Sequence, residues 1–469
     1  MSGPREECGI VAVMGPQSAA EWAYLGLYAL QHRGQESSGI VSTDGTRAYA
    51  HRGMGLVADV FDEQVLSLLP GHAAIGHNRY STTGSPTLAN AQPILVNYRD
   101  GFLAVAHNGN LVNARTLRRR LERKGSIFQS TMDTEVVVHL IALERETRDQ
   151  AVLSALGKLR GAYSLLILTP DGLYAARDSR GFRPLSIGRR GATTVVASES
   201  CALDLLGAEL DRELGPGEVL KVALDGSSEV LQVAPADAEC LCVFEQIYFA
   251  RPDSTLFGLS VDEARRRLGR ELAREHPAAA DCVFAVPDSS NSAALGYAES
   301  SGIAFELGLI RNHYVGRTFI QPGQEVRDFR VKVKYNPVAS VIRGKRVVVV
   351  DDSIVRGTTS KALVGLVRDA GATEVHLRVA SPPLRHPCYY GIDIPNREEL
   401  IAANMSVPEI ARFVGADSLG YLSFEGLYRA VGARERHCDA CMSGNYRVPL
   451  ERGIEEKAAF ETLTLTPSN

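Results

Sequence analysis

The sequence reads as two fold classes in succession, an α+β first half to about residue 235 and an α/β second half from about residue 239. Two patterns and the length carry this reading. Short Gly-bounded apolar stretches alternate with a few helical ones in the first half, which calls for antiparallel strands in stacked sheets. Continuous Val-rich runs each leading into a helical stretch mark the second half, as in a parallel sheet covered on both faces. At 469 residues the chain also exceeds what one core serves.

In the first half the strands are "GIVAVMG", "LAVAHNG", "AYSLLILT" and "GLYAARD". A helix is expected from Glu21 to about Gln31, where Trp22, Leu25, Tyr28 and Ala29 recur at helical spacing, and another in "DTEVVVHLIALERE". The second half follows with "DCVFAVPDSSNSAALGYAES", "RVVVVDDSIVRGTTSKALVGLVRDAG" and "EVHLRVASPP". The boundary falls within "QVAPADAE", residues 232–239, and the polar tail after about Arg452 is expected to be loosely held.

Hydrophobic content of 45%, charged content of 23% and a formal charge of -4 describe a globular chain whose main partner is not nucleic acid. No stretch reaches the roughly 18 continuous apolar residues of a membrane span, so a cytosolic protein with no membrane partner is expected. Eight cysteines (Cys8, Cys201, Cys240, Cys242, Cys282, Cys388, Cys438, Cys441) are too sparse for a disulfide scaffold. Reactivity or metal ligation is the better reading for those that cluster, and Cys201 and Cys282 read as small buried hydrophobes.

The most specific stretch is "VVVVDDSIVRGTTS", residues 347–360: a buried strand, two carboxylates, then a Gly/Ser/Thr-rich turn entering a helix. Backbone N–H groups at a helix N-terminus favour a phosphate, Gly357 permits close approach, and Thr358, Thr359 and Ser360 add hydroxyl donors. Asp351 and Asp352 repel phosphate and therefore suit sugar hydroxyls or magnesium. The ligand so described is a sugar phosphate.

This stretch resembles the phosphoribosyl pyrophosphate loop of the type I phosphoribosyltransferases. With "VPDSSNSAALGYAE" at 286–299 and "RNHYVGRTFIQPGQEVRDFRVKVK" at 311–334, the chain is similar to the amidophosphoribosyltransferases, the glutamine-dependent enzymes that open purine synthesis. The resemblance implies that Ser289, Asp351 and Asp352 surround magnesium and that Ser353 to Ser360, including Arg356, take the phosphoribosyl group. Arg317, Lys332 and Lys334 lie in the segment that closes over substrate in the family, where their charge suits pyrophosphate; Lys332 stands where the family has arginine.

Such an enzyme needs a first half that makes ammonia from glutamine, which implies an N-terminal-nucleophile glutaminase of two sheets between helices. Cys8, in "MSGPREECGIVAVMG", is the expected nucleophile, with its own α-amine as base. A peptide-bonded nitrogen has no basic lone pair, so Met1 to Glu7 are expected to be a propeptide. By the same resemblance Arg79 in "HNRYSTTG" grips the glutamine α-carboxylate, Asn108 and Gly109 in "AHNGNL" form the oxyanion hole, and Asp133 in "TMDTE" pairs with the α-ammonium. "QHRGQESSGI" at 31–40 is a further stretch in family order.

"CDAC" places Cys438 and Cys441 where both can ligate one metal centre, and Cys242 and Cys388 lie in "CVFEQIYFARPDS" and "HPCYYGIDIP". Four thiolates could hold zinc or a [4Fe–4S] cluster, and spacing alone does not choose. Resemblance to the iron–sulfur branch of the family implies the cluster, with Cys242 preferred over its neighbour Cys240. It further implies one magnesium ion and one cluster per subunit, purine nucleotides as feedback inhibitors, and a homotetramer or homodimer. A glutaminase feeding a different sugar phosphate, or a non-catalytic sensor, are the rival readings. The acidic loop disfavours the first and the intact glutaminase set the second.

Overall fold

A computed structural model describes residues 8–15, 18–80, 87–233, 237–312, 334–394 and 396–451. The first half contributes thirteen strands among these residues: β1 (Gly9–Met14), β2 (Ser37–Thr43), β3 (Ala48–Met54), β4 (Ala73–Arg79), β5 (Ile94–Tyr98), β6 (Gly101–Leu111), β7 (Gly161–Thr169), β8 (Gly172–Arg177), β9 (Ser186–Arg190), β10 (Thr193–Ala197), β11 (Glu209–Glu213), β12 (Glu218–Ala223) and β13 (Ser228–Gln232). They form a seven-stranded sheet, β11-β9-β10-β1-β4-β2-β3, and a six-stranded one, β13-β12-β8-β7-β6-β5.

Strand periodicity explains how the sheets stack. Ile10, Ala12 and Met14 of β1 meet Phe102, Ala104 and Ala106 of β6 in a core between the two sheets. The alternate residues Val11 and Val13 turn outward onto helices Ala19–Ala29 and Ser200–Leu206. Leu103 and Val105 likewise pack under helices Thr134–Leu143 and Arg148–Leu156. Helix, sheet, sheet, helix is thus the order of layers, because the central strands are apolar on both faces. The helix expected from Glu21 spans Ala19–Ala29, two residues earlier at each end.

The second half carries a four-stranded, all-parallel sheet of Cys282–Ala285, Arg346–Asp351, Glu374–Val379 and Ser418–Tyr421, in that spatial order. Val283, Val348 and Val350 pack on one side, and Cys282, Val347 and Val349 on the other, which is why these runs read as continuous valine. Asp351 ends its strand and helix Thr358–Asp369 begins seven residues later, so the acidic pair lies at the carboxyl edge of the sheet, where open α/β sheets bind ligands. One apolar core contains Val112, Ala162 and Phe182 of the first half together with Phe244, Cys388 and Tyr390 of the second.

Candidate active sites

The register of β1 against β4 pairs Gly9 with Asn78, so Cys8 emerges beside Arg79. Cys8 is half-buried, its Sγ 3.7 Å from the Tyr80 carbonyl oxygen. Arg79 is buried; desolvation lowers its pKa, while the neighbouring Cys8, Glu36 and Asp133 oppose that shift. Its guanidinium lies 3.7 Å from the Glu36 carboxylate. Asp133 accepts from the Leu111 N–H at 2.9 Å and stands 3.5 Å from His107 Nδ1. Burial pushes its carboxyl up, but His107 and these hydrogen bonds outweigh burial and leave it below the ordinary range.

Asn108 and Gly109 lie near the end of β6. The Asn108 side-chain amide is buried and its Nδ2 has no hydrogen-bond partner among the described residues, a costly state unless a ligand oxygen fills it. Gly109 has φ +145°, and a Cβ there would come within 2.1 Å of the Ala162 carbonyl oxygen, so no other residue fits at this point of the strand. Buried His77 bonds the His107 carbonyl at 3.0 Å and is pushed down to about 3 by desolvation, hence neutral. Arg79 thus bears on both Cys8 and Asp133, and Asp133 on His107, the residue before Asn108, which links three of the predicted stretches to Cys8.

At the sheet edge in the second half, Ser289 Oγ donates to Asp352 at 2.5 Å, Ser290 Oγ to Asp351 at 3.4 Å and Ser353 Oγ to Asp352 at 2.7 Å. Burial, and then the adjacent Asp352 charge, raises the Asp351 carboxyl well above the ordinary range. Burial raises Asp352 too, against these serine hydrogen bonds and the Arg265 charge. A divalent cation or sugar hydroxyls would relieve exactly this kind of crowding, so the donor set suits magnesium held by two carboxylates and substrate oxygens. Gly357, at φ +74°, caps helix Thr358–Asp369 with no side-chain hydrogen bond to the cap, leaving the first-turn N–H groups to a ligand. Thr358 is exposed, Thr359 half-buried and Ser360 buried. Exposed Lys334 bears on Asp351, whereas Arg356 is held by Glu399 at 2.7 and 2.8 Å. Arg317, Lys332 and the end of "HNRYSTTG" lie outside the described residues.

Cys242 and Cys438 are paired across two short parallel strands, Leu241–Cys242 and His437–Cys438. Burial raises the Cys441 thiol well above its ordinary value, and Cys388, Cys242 and Cys438 around it add to the effect. The Tyr390 N–H donates to Cys388 Sγ at 3.3 Å. All four thiols are buried together, as a cluster requires. Among the described residues no three His, Cys, Asp or Glu side chains are grouped closely enough to hold one metal ion. Cys240 also lies against Cys438, which keeps it in the same nest.

A family model described as a glutamine amidotransferase domain matches residues 77–205. Amidophosphoribosyltransferase 1, chloroplastic, of Arabidopsis thaliana is 54% identical over 450 residues, 95% of this chain and 79% of that protein. The amidophosphoribosyltransferase of Bacillus subtilis is 49% identical over 453 residues, 95% of each. The chain belongs to the amidophosphoribosyltransferase family. A solved glutamine phosphoribosylpyrophosphate amidotransferase from B. subtilis, complexed with ADP and GMP, superposes with a TM-score of 0.91 at 48% identity, covering 95% of this chain and 98% of that one. A structure of the allosteric regulatory enzyme of purine biosynthesis gives 0.92 at 48%, covering 96% and 99%. The glutaminase sandwich and the parallel-sheet phosphoribosyltransferase unit are accordingly the amidophosphoribosyltransferase fold.

Several residues of this amidophosphoribosyltransferase were not singled out from sequence. Arg33 lies within "QHRGQESSGI", yet only the structure shows it almost fully buried, its Nε on the Cys8 carbonyl at 3.2 Å. It is paired with Glu199 at 2.5 Å and Glu245 at 2.7 Å. Burial would raise the Glu199 carboxyl, but the His32 and Arg33 charges overcome it and hold it far below the usual range. The available signal was a carboxylate, Glu245, set in the otherwise apolar run "CVFEQIYF".

Proposed function

We propose that the chain makes 5-phosphoribosylamine, glutamate and pyrophosphate from glutamine, water and phosphoribosyl pyrophosphate, the first committed step toward purines. The observation that carries this is the presence in one chain of the Cys8 constellation and the buried Asp351–Asp352 pair beside an uncapped helix N-terminus. Residues 8–238 are read as the glutaminase and 239–469 as the phosphoribosyltransferase with the cysteine segment.

With Met1 to Glu7 removed, the α-amine of Cys8 takes the thiol proton and Sγ attacks the glutamine amide carbon. Arg79 and Asp133 hold the α-carboxylate and α-ammonium, and Asn108 Nδ2 with the Gly109 N–H receive the oxyanion. Ammonia leaves, and water cleaves the thioester to glutamate. At the second site the loop from Ser353 to Ser360, with Arg356, Gly357, Thr358 and Thr359, orients the 5′-phosphate. Ammonia displaces the pyrophosphate at C1 of the ribose, a leaving group whose charge the cations Arg317, Lys332 and Lys334 suit by the family resemblance. Ser289, Asp351 and Asp352 would hold a magnesium ion, which when bound would supply charge neutralisation for the departing pyrophosphate.

Cys242, Cys388, Cys438 and Cys441 would hold one [4Fe–4S] cluster, which places the chain in the iron–sulfur branch. Neither half-reaction transfers electrons, so the cluster supplies cross-linking of three distant stretches. Protein purified without oxygen should be brown, with about four irons per chain; one zinc per chain would replace this assignment. ADP and GMP in the B. subtilis complex support purine nucleotides as regulators here, and assembly is read as a homotetramer or homodimer. No helix among the described residues is long and apolar enough to cross a membrane, and a reducing cytoplasm suits the thiols.

The deciding measurement is pyrophosphate release from phosphoribosyl pyrophosphate with glutamine as nitrogen source. Glutamine-dependent release with equimolar glutamate supports the reading. Glutamate without pyrophosphate points to another acceptor, and neither product points to a sensor.

A further inference from the structure

Two parts of the glutamine site are braced by one short stretch of the second half, residues 389–391. The first is the oxyanion turn. Asn110 Nδ2 donates to the Tyr389 carbonyl at 2.8 Å, and Gly391, at φ +108°, lies flat against Gly109: a Cβ on Gly391 would stand 3.0 Å from Gly109 Cα and C.

The second is the backbone of the nucleophile. The Tyr390 carbonyl accepts from Arg183 Nη2 at 2.7 Å and Nε at 3.1 Å, and Arg183 Nη1 reaches Glu245 at 3.3 Å. Glu245 also takes Arg33 Nη2 at 2.7 Å and Nη1 at 3.0 Å, and Arg33 Nε donates to the Cys8 carbonyl. Arg33, Arg183 and Glu245 are 0–1% exposed. The Tyr390 ring stacks 4.5 Å from Phe182, and its hydroxyl donates to the Val448 carbonyl at 2.9 Å, so the stretch is held on both sides.

Buried ion pairs contribute little net stability compared with apolar packing, but they specify one arrangement. What this arrangement specifies is the distance between Cys8 and the oxyanion donors. Those donors must meet the developing oxyanion at 2.7–3.1 Å, and a displacement of about 1 Å costs on the order of 10²-fold in rate. We propose that residues 389–391, tied through Arg183 and Glu245 to Arg33, are positioning residues for glutamine hydrolysis, so that the second half of the chain sets the geometry of the first half's chemistry. The proposal rests on the glutaminase reading above.

Gly391→Ala tests it, because the added methyl presses on the backbone of Gly109, whose N–H is an oxyanion donor, while Arg79 and Asp133, which hold the ends of glutamine, are left unaltered. Expected is a fall of about 10²-fold in kcat with glutamine, KM for glutamine within about threefold, and synthesis from ammonium at the wild-type rate. Should Gly391→Ala not fold, Glu245→Gln keeps the side-chain volume, removes the charge shared by Arg33 and Arg183, and should show the same asymmetry. Equal losses with glutamine and ammonium, or no loss with glutamine, would overturn the brace. Wild-type protein run alongside separates the two ideas: if it makes no glutamate from glutamine, the glutaminase reading fails, whereas an active wild type with an indifferent variant refutes only the brace.

Discussion

The glutamine site and the phosphoribosyl loop are built on opposite electrostatic plans. Around Cys8 the charges are matched before any ligand arrives: Arg79 lies by Glu36, and Asp133 accepts from the Leu111 N–H beside His107, with the Asn108 amide left without a partner among the described residues. In the loop two adjacent buried carboxylates are crowded together next to a helix terminus with no side-chain cap. The difference follows the substrates. Glutamine is a zwitterion, so the charged groups of its site can be matched in advance, with only the Asn108 amide left for the ligand to satisfy. Phosphoribosyl pyrophosphate is a polyanion that travels with magnesium, so its site is left electrostatically incomplete and is completed by what binds.

Breaking the first site should separate the two most sharply. Cys8→Ala is expected to lower glutamine-dependent pyrophosphate release by at least about 10⁴-fold while synthesis from high ammonium persists, measured with the two nitrogen sources in parallel. Loss of both with the fold intact would mean that the sites are not separate.

Breaking the second should have the opposite signature. Asp351→Asn with Asp352→Asn is expected to cut use of phosphoribosyl pyrophosphate about 10²–10³-fold with either nitrogen source, yet to raise the Tm of the substrate-free protein. The sign follows from linkage: carboxyls whose folded pKa lies above the unfolded value destabilise the fold once pH exceeds that unfolded value, near 3.9. The gain in Tm should therefore be absent below about pH 4 and grow as pH rises from there toward the raised folded values, which thermal melts from acid to neutral pH would show. An unchanged or lower Tm at pH 7 would contradict the electrostatic contrast.

Asn108→Ala sharpens the preorganised side of the comparison, with kcat for glutamine down about 10²–10³-fold and KM little altered; a rise in KM at constant kcat would make Asn108 a ground-state contact instead. The smallest effect belongs to Gly357→Ala. Its φ of +74° and a Cβ 2.6 Å from Ile401 Cδ1 predict a Tm lower by a few degrees and KM for phosphoribosyl pyrophosphate higher by about tenfold. Titration with substrate in a thermal-shift assay would show the same weakening.

Legibility in the sequence tracked contiguity. The phosphate loop could be read because strand, acidic pair, glycine turn and helix start are consecutive in residues 347–360, and each has a local reason for its residue type. Valine runs and two-residue alternation foretold the sheets, and "CDAC" announced a thiol site. The glutaminase residues come from separate stretches, so their roles needed the family resemblance; their meeting point needed the register that sets Gly9 against Asn78.

The chain by itself determined the two fold classes, the acidic pair and the position of the thiols, since propensity, periodicity and chemical type act over a few neighbouring residues. Only the tertiary structure decided that Arg33, Glu199, Glu245 and Arg183 form one buried network, with Arg33 and Glu245 212 residues apart, and that Gly391 presses on Gly109. An arginine looks the same in sequence whether it faces water or a buried carboxylate, and a close backbone contact leaves no trace beyond a glycine. Such pairings are set when whole layers pack, because burial fixes which charges must find each other.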